Sequence, residues 1–313
     1  MRWVSERQAI FYLAVPNWLG WTEGGPTIPN PPLVRQAQVV RLASGGALHV
    51  AGAPGATPIL FLHGVAGGAW SWEPQIAALA ARFRCFVFEA RGHGLAARVS
   101  DAGLGDYFVD AGEALGHVVA EAGAPFVAGH SMGGLLAMAL AAERPADVHG
   151  LMLLEPVYAP RGGAHLGGVF ARVARTVFAP LVRDLVRDGP LARAISRSVF
   201  AAAFADRSCM ERAWVRQRTQ VPPEYPKMMY EAFEGPTDFP SRAFARELVA
   251  PTLLVEGSVA RERPRFPELN ADLERLGARF SYLVIDGGHY LQLDRCAPQL
   301  TAALERFVTT WSR

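Results

Sequence analysis

Cysteine is scarce in this chain, which has only Cys85, Cys209 and Cys296 among its 313 residues. The three are far apart and odd in number, so they predict neither a disulfide framework nor the paired spacing of a structural zinc site. We interpret them as small buried side chains. This cysteine usage fits a reducing compartment, and we therefore expect a cytoplasmic protein.

Net charge and long apolar runs are lacking too. The formal net charge of +2 is too small to indicate a nucleic-acid partner. The apolar run at residues 9–15 is too short to span a bilayer, so we expect no transmembrane segment. Glu6 and Pro16 are atypical of a signal peptide. Residues 1–37 therefore predict an N-terminal extension that packs on the domain or its entrance, with a homodimer contact or a peripheral membrane contact through it as alternatives.

Apolar segments are nevertheless abundant, because half of the residues are hydrophobic. Short apolar stretches such as residues 58–62 alternate with longer helical patterns, which predicts an α/β fold with a mostly parallel, doubly wound sheet. Between residues 160 and 246 amphipathic helical patterns occur without a convincing strand. We predict an α/β core at 38–159 and 247–313 and a helical cap at 160–246.

A Gly-x-Ser-x-Gly pattern at Gly129, Ser131 and Gly133 lies between an apolar strand and a strong helix former. This pattern is typical of a strand-to-helix turn so sharp that a Cβ on either side of the serine would clash. The turn lifts the serine hydroxyl to a helix N-terminus, where free backbone N–H groups can face an oxyanion. The sequence therefore predicts that Ser131 is a nucleophile.

Three further motifs accompany this turn in a fixed order. They are His63-Gly64 after an apolar strand, the loop at residues 91–94, and Gly287-Gly288-His289 after the last strand. With these four motifs the chain resembles the α/β-hydrolase superfamily over residues 38–313. The resemblance implies His289 as the base that activates Ser131. His63, His93 and His130 are expected to make structural hydrogen bonds.

The acid is the unusual part of the pattern. Related hydrolases usually carry an aspartate shortly after the glycine that ends the seventh strand, but the chain has Ala260 there. A branch of the superfamily places its acid after the sixth strand, where this chain has Glu155. A carboxylate that ends an apolar strand needs a partner, which His289 would supply. We favour Glu155 and keep Glu256 as the alternative; Asp286 and Asp294 are expected in turns or on the surface.

The remaining site residues are the oxyanion hole and the substrate pocket. The resemblance places the oxyanion hole at the backbone N–H groups of Val65 and Met132. Candidate pocket residues are apolar or aromatic, which suggests an apolar acyl or aromatic substrate. They are Trp70, Tyr158, Phe178, Trp214, Met229, Tyr230 and Phe233.

These expectations describe a cofactor-independent serine hydrolase that binds no metal and acts on a small, apolar carboxylic ester or a similar acyl compound. A lactone, a thioester, a carbon–carbon bond and perhydrolysis are open to the same residues. A ligand-binding protein without catalysis is the competing hypothesis, because the usual acid is absent at Ala260.

Overall fold

The computed structural model describes residues 38–65, 67–96, 104–158, 197, 200–201, 203–220, 240–258 and 267–312. The predicted extension at residues 1–37 and most of the predicted cap therefore lie outside the described residues. The eight strands, in chain order, are β1 Gln38–Arg41, β2 Ala47–Ala51, β3 Pro58–Leu62, β4 Arg84–Glu89, β5 Phe126–His130, β6 Gly150–Leu154, β7 Thr252–Gly257 and β8 Phe280–Ile285.

Seven α-helices and three short 3₁₀ turns lie between and after these strands within the described ranges. The helices are α1 Glu73–Leu79, α2 Leu104–Ala122, α3 Met132–Glu143, α4 Arg207–Gln220, α5 Ser241–Glu247, α6 Pro267–Glu274 and α7 Ala297–Trp311. The 3₁₀ turns are Ala69–Trp72, Pro145–Asp147 and Gly277–Arg279.

The strands form one sheet in the order β1-β2-β4-β3-β5-β6-β7-β8. The pairs β1–β2 and β2–β4 are antiparallel, and all pairs from β4 to β8 are parallel. The central strands are apolar throughout because both of their faces are covered. On β3, Leu60 and Leu62 pack toward one side, whereas Ile59 and Phe61 pack toward the other.

Helices cover both faces of the sheet. Side chains of α2, α3, α5 and α6 share one apolar cluster, and those of α1 and α7 share the other. This arrangement confirms the predicted doubly wound α/β fold. Cys85, Cys209 and Cys296 are buried free thiols. None of the helices in the described ranges is long and apolar enough to cross a membrane.

The register aligns the carboxyl ends of the central strands, where open α/β sheets build their sites. His130 at the end of β5 pairs with Leu154 at the end of β6, and Leu154 pairs with Val255 of β7. Ser131, Glu155 and the loop after β8 therefore emerge at one edge of the sheet.

Candidate active site

Ser131 occupies the turn between β5 and α3 in a backbone conformation that side chains rarely adopt. Its φ is 53° and its ψ is −114°, and α3 begins at the next residue, Met132. A Cβ on Gly129 would overlap the carbonyl of Gly133, and a Cβ on Gly133 would overlap the carbonyl of Leu62. Both glycines of the motif are thus required by close backbone packing.

Hydrogen bonds hold this strained turn against the neighbouring strand. The Ser131 N–H donates to the Leu154 carbonyl at 3.0 Å, and the Ser131 carbonyl accepts the Val157 N–H at 2.9 Å. Gly134 lies so close to Pro156 that an added Cβ would be 2.6 Å from the proline Cβ. Sequence reasoning did not single out Gly134. A glycine is required there because the chain after β6 packs too closely for a larger side chain.

Glu155 and His289 meet beside this turn. His289 Nδ1 lies 3.2 Å from Glu155 Oε2, and Glu155 Oε1 accepts the Gly257 N–H at 2.7 Å. Glu155 is 1% exposed. The carboxylate can only accept, so His289 Nδ1 carries the proton and Nε2 is left as the basic nitrogen.

Backbone strain is concentrated at this contact. Among the described residues other than glycine, a positive φ occurs only at Ser131 and Glu155, where it is 45°. Such conformations typically cost about 1–3 kcal/mol each and are retained where surrounding structure enforces them. Both strained residues carry side chains that the predicted chemistry uses at this edge of the sheet, together with His289.

Glu256 is turned to a different partner. Its Oε2 accepts the hydroxyl proton of Tyr282 on β8 at 3.0 Å. The structure therefore brings Glu155 to His289 and Glu256 to Tyr282, although the two carboxylates end adjacent strands.

The loop after β3 lies directly against the serine turn. A Cβ on Gly64 would be 3.1 Å from the Ser131 Cβ and 2.8 Å from His130 Nδ1. Val65 follows Gly64, and Met132 starts α3, whose first N–H groups have no acceptor in the helix. The two backbone segments predicted to form the oxyanion hole therefore meet at Ser131.

His63 is buried and makes the structural hydrogen bonds expected of it, and the buried His93 packs on the His63 ring at 4.7 Å between centroids. His63 Nε2 accepts the Ala90 N–H at 3.1 Å, so its Nδ1–H donates to the Gly64 carbonyl at 2.8 Å. Burial lowers the pKa of His63. Burial, and then the neighbouring His63, lower the pKa of His93 to about 3. Both rings are thus neutral supports of the loop.

Glu89 is a buried carboxylate that sequence reasoning missed. It accepts hydrogen bonds from His49 Nε2 at 2.8 Å, the Ala69 N–H at 2.9 Å and the Leu95 N–H at 2.8 Å. Burial opposes its ionisation, but His49 and these amides outweigh burial and lower the pKa of Glu89. A Cβ on Gly94 would overlap the carboxylate, which accounts for that glycine.

The loop between β8 and α7, which carries His289 and is called the histidine loop below, is held by hydrogen bonds on both sides of His289. His130 Nε2–H donates to the His289 carbonyl at 2.9 Å, so the residue before the nucleophile is bonded to the histidine loop. Asp286 is exposed, as expected. Asp294 lies in a turn, as expected, but the surface alternative fails for it: the carboxylate is 2% exposed and accepts the Gly288 N–H at 2.9 Å.

The predicted pocket residues fall into different places. Trp70 and Trp214 lie in one apolar cluster that includes Phe200 and Phe204, and the Tyr290 ring packs against both phenylalanines. The Tyr290 ring is 5.5 Å from the His289 ring, centroid to centroid.

Tyr158 belongs to a different apolar cluster, the one that α2, α3, α5 and α6 share on one face of the sheet, and its hydroxyl donates to Asp272 Oδ2 at 2.9 Å. The other predicted pocket residues lie outside the described residues; they are Phe178, Met229, Tyr230 and Phe233.

Comparisons with known proteins agree with this architecture. Residues 59–304 match the family described as alpha/beta hydrolase family. A relative in Azorhizobium caulinodans that is named for carbamate hydrolysis is 33% identical over 146 residues, which are 46% of this chain and 50% of that protein. The chain spans about half the length of the curated relatives it matches.

Solved structures are similar over most of the chain. A thermophilic esterase from Thermogutta terrifontis superposes with a TM-score of 0.65 at 23% identity, covering 88% of this chain and 99% of that one. An enol-lactonase from Burkholderia xenovorans LB400 superposes with a TM-score of 0.62 at 21% identity, covering 87% of this chain and all of that one. At these identities the likeness concerns the fold alone.

Proposed function

Because the chain belongs to the alpha/beta hydrolase family, we propose that it is a serine hydrolase that cleaves a carboxylic ester or a similar acyl compound through an acyl-enzyme on Ser131. The observation that carries the proposal is the 3.2 Å contact between His289 Nδ1 and Glu155 Oε2 beside the strained Ser131 turn. A buried carboxylate that fixes the tautomer of a histidine next to such a serine is the arrangement nucleophilic acyl transfer needs.

The reaction proceeds in two halves. His289 Nε2 takes the hydroxyl proton of Ser131 as Oγ attacks the carbonyl carbon, and Glu155 stabilises the imidazolium that forms. The backbone N–H groups of Met132 and Val65 donate to the oxyanion of the tetrahedral intermediate. His289 then gives the proton to the leaving group, and the acyl group stays on Ser131. In the second half His289 activates water, which releases the carboxylic acid and restores the serine.

The substrate class follows from the side chains around the base. Trp70, Phe200, Phe204 and Trp214 cluster with Tyr290, which packs on His289, and apolar side chains next to the base suit an apolar acyl group. Esters, lactones and carbamates all present a carbonyl carbon with a leaving heteroatom. The name of the Azorhizobium relative, a carbamate hydrolase, therefore supports an acyl substrate and leaves the bond within this class open.

Turnover of p-nitrophenyl esters of increasing acyl length, beside a simple lactone, tests the proposal. We expect hydrolysis by the unaltered chain, a drop in kcat of about 10⁴-fold or more in Ser131→Ala, and little change in Ser312→Ala, a control far from the site. Equal turnover in Ser131→Ala would refute the proposal. Tight binding of an acyl ligand without turnover of any substrate would favour the ligand-binding hypothesis instead.

A further inference from the structure

Asp294 is a buried carboxylate five positions after His289 in the chain, and the reaction outlined above does not use it. It lies in the turn that leads from the histidine loop into α7, and its own carbonyl accepts the Ala297 N–H at 2.9 Å. A buried carboxylate needs compensating hydrogen bonds, because burial alone would cost several kcal/mol. The hydrogen-bond partners of Asp294 therefore indicate the structural role of this side chain.

Four backbone N–H groups donate to this one side chain. Oδ2 accepts the N–H of Gly288 at 2.9 Å and that of Ala205 at 2.6 Å. Oδ1 accepts the N–H of Asp206 at 3.0 Å and that of Arg295 at 2.8 Å. Gly288 directly precedes His289, whereas Ala205 and Asp206 belong to the segment that leads into α4. One carboxylate thus joins the base loop to a segment from the region predicted as the cap.

A second set of contacts joins the same two segments. The Tyr290 N–H donates to the Ala203 carbonyl at 3.2 Å, and a Cβ on Gly288 would overlap that carbonyl. Gly288 and Tyr290 flank His289 in the chain. The backbone on both sides of the base is therefore in contact with residues 203–206.

We propose that Asp294 is a positioning residue for His289, which it acts on through Gly288, and that it makes the placement of the base depend on the segment at residues 203–206. The proposal rests on the proposed function, in which His289 is the base. Charge-assisted hydrogen bonds of this kind are stronger than neutral ones. A base displaced by about 1 Å typically loses about 10²-fold in rate, so a small shift of Gly288 has a large effect.

Replacement by asparagine exposes the dependence, because every partner of Asp294 is a donor. Asparagine has one acceptor oxygen and one NH₂ group. In either orientation the NH₂ faces two backbone N–H groups, so either the Gly288 and Ala205 bonds or the Asp206 and Arg295 bonds are lost. Asp286→Asn is the matched control, since Asp286 is a carboxylate at the other end of the same loop. Its side chain is 71% exposed and contacts the side chains of Ser258 and Arg295.

The test compares both variants with the unaltered chain by three measurements. Each protein is first titrated with a limiting fluorophosphonate, so that rates are expressed per active site. We expect kcat for an ester and the labelling rate to fall about 10- to 100-fold in Asp294→Asn with a smaller change in KM, and to stay within twofold in Asp286→Asn. A residue that only stabilised the fold would lower the number of active sites without changing kcat per site.

The imidazole proton on His289 Nδ1 gives a readout that does not require activity. Its proton NMR signal, assigned by its loss in His289→Ala, is expected to broaden or shift in Asp294→Asn and to stay unchanged in Asp286→Asn. Normal kcat per site together with an unchanged signal, both in Asp294→Asn and in Asp294→Ala, which removes both acceptor oxygens, would overturn the proposal. If the unaltered chain neither hydrolyses esters nor reacts with the fluorophosphonate, the proposed function fails. The NMR comparison still tests whether Asp294 positions His289.

Amide hydrogen exchange on the unaltered chain keeps the inference testable if Asp294→Asn does not fold. The N–H groups of Gly288, Ala205 and Asp206 are expected to share one high protection factor, because one carboxylate binds all three. Exchange of Ala205 and Asp206 at the rate of an unstructured chain, with Gly288 protected, would show that the two segments are not joined and would overturn the coupling.

Discussion

Exchanging Glu155 for glutamine distinguishes the two carboxylates that the sequence left as candidates for the acid. In the structure Glu155 bonds two donors, His289 Nδ1–H and the Gly257 N–H. Glutamine can accept from only one of them. If its oxygen keeps the 2.7 Å bond to Gly257, its NH₂ faces His289 and drives the imidazole proton from Nδ1 to Nε2. The nitrogen that should take the serine proton is then blocked.

The expected loss is large because the wrong tautomer cannot act as a base. Loss of the acid in serine triads lowers kcat by about 10⁴-fold, or about 5.5 kcal/mol of transition-state stabilisation. The reverse glutamine orientation leaves the Gly257 N–H facing a donor and costs about 1–3 kcal/mol of folding stability. Glu256→Gln is the control: its amide oxygen still accepts the Tyr282 hydroxyl proton, and we expect less than about a threefold change.

Steady-state ester hydrolysis by both variants, with unfolding midpoints in urea, measures these effects separately. Activity of Glu155→Gln within tenfold of the unaltered chain, together with an unchanged unfolding midpoint, would contradict this role of Glu155. A large loss confined to Glu256→Gln would move the acid to Glu256. Small and equal losses in both variants would show that no carboxylate sets the tautomer of His289.

Two further predictions concern the turn and the loop that support the site. Gly133→Ala is expected to destabilise the chain by at least about 2 kcal/mol in thermal unfolding, because its Cβ would overlap the Leu62 carbonyl. Gly112→Ala, in open space on α2, is expected to stabilise it by roughly 0.5–1 kcal/mol; equal effects would contradict the steric argument. Burial, reinforced by the neighbouring His63, lowers the pKa of His93 to about 3 from an ordinary value of 6.5. Between pH 3 and pH 6.5 the unfolded chain therefore binds a proton on His93 that the folded chain does not bind, and the free energy of unfolding rises with pH. His93→Gln is expected to reduce this slope by up to about 1.4 kcal/mol per pH unit in urea titrations at pH 5, 6 and 7, and an unchanged slope would contradict it.

The serine turn was predictable because its requirements are local. The strand, the glycines and the helix start are consecutive in the chain, and the clashes that select Gly129 and Gly133 arise from the turn itself or from the adjacent β3. The parallel strands were predictable for a similar reason. A strand such as Gly150–Leu154 is apolar at every position, which follows from burial of both faces.

The supports of the site depend on residues that are distant in the chain. The carboxylate of Glu89 bonds His49 on β2 and amides in two loops, and no spacing in the sequence indicates this set. Asp294 is similar, since Ala205 and Asp206 precede it by almost ninety positions. Such contacts depend on how the helices, strands and loops pack together, and the helix and strand propensities of the local sequence do not predict them.

The choice between Glu155 and Glu256 could be made only in part from the sequence. Glu155 directly follows β6 and Glu256 is the penultimate residue of the adjacent strand β7, so each was a candidate. The preference for Glu155 came from the need of a strand-end carboxylate for a partner. Which histidine or hydroxyl each side chain meets is set by the register of β6, β7 and β8 and by the strained backbone at Glu155, which the sequence does not encode locally.

Intact-mass analysis after fluorophosphonate treatment, followed by peptide mapping, shows whether Ser131 is an activated nucleophile. We expect one adduct per chain, located on the peptide that contains Ser131 and absent from Ser131→Ala. We also expect slow or undetectable labelling of His289→Ala, because the hydroxyl then has no base. No adduct on the unaltered chain, or an adduct that persists in Ser131→Ala, would contradict an activated serine at this turn.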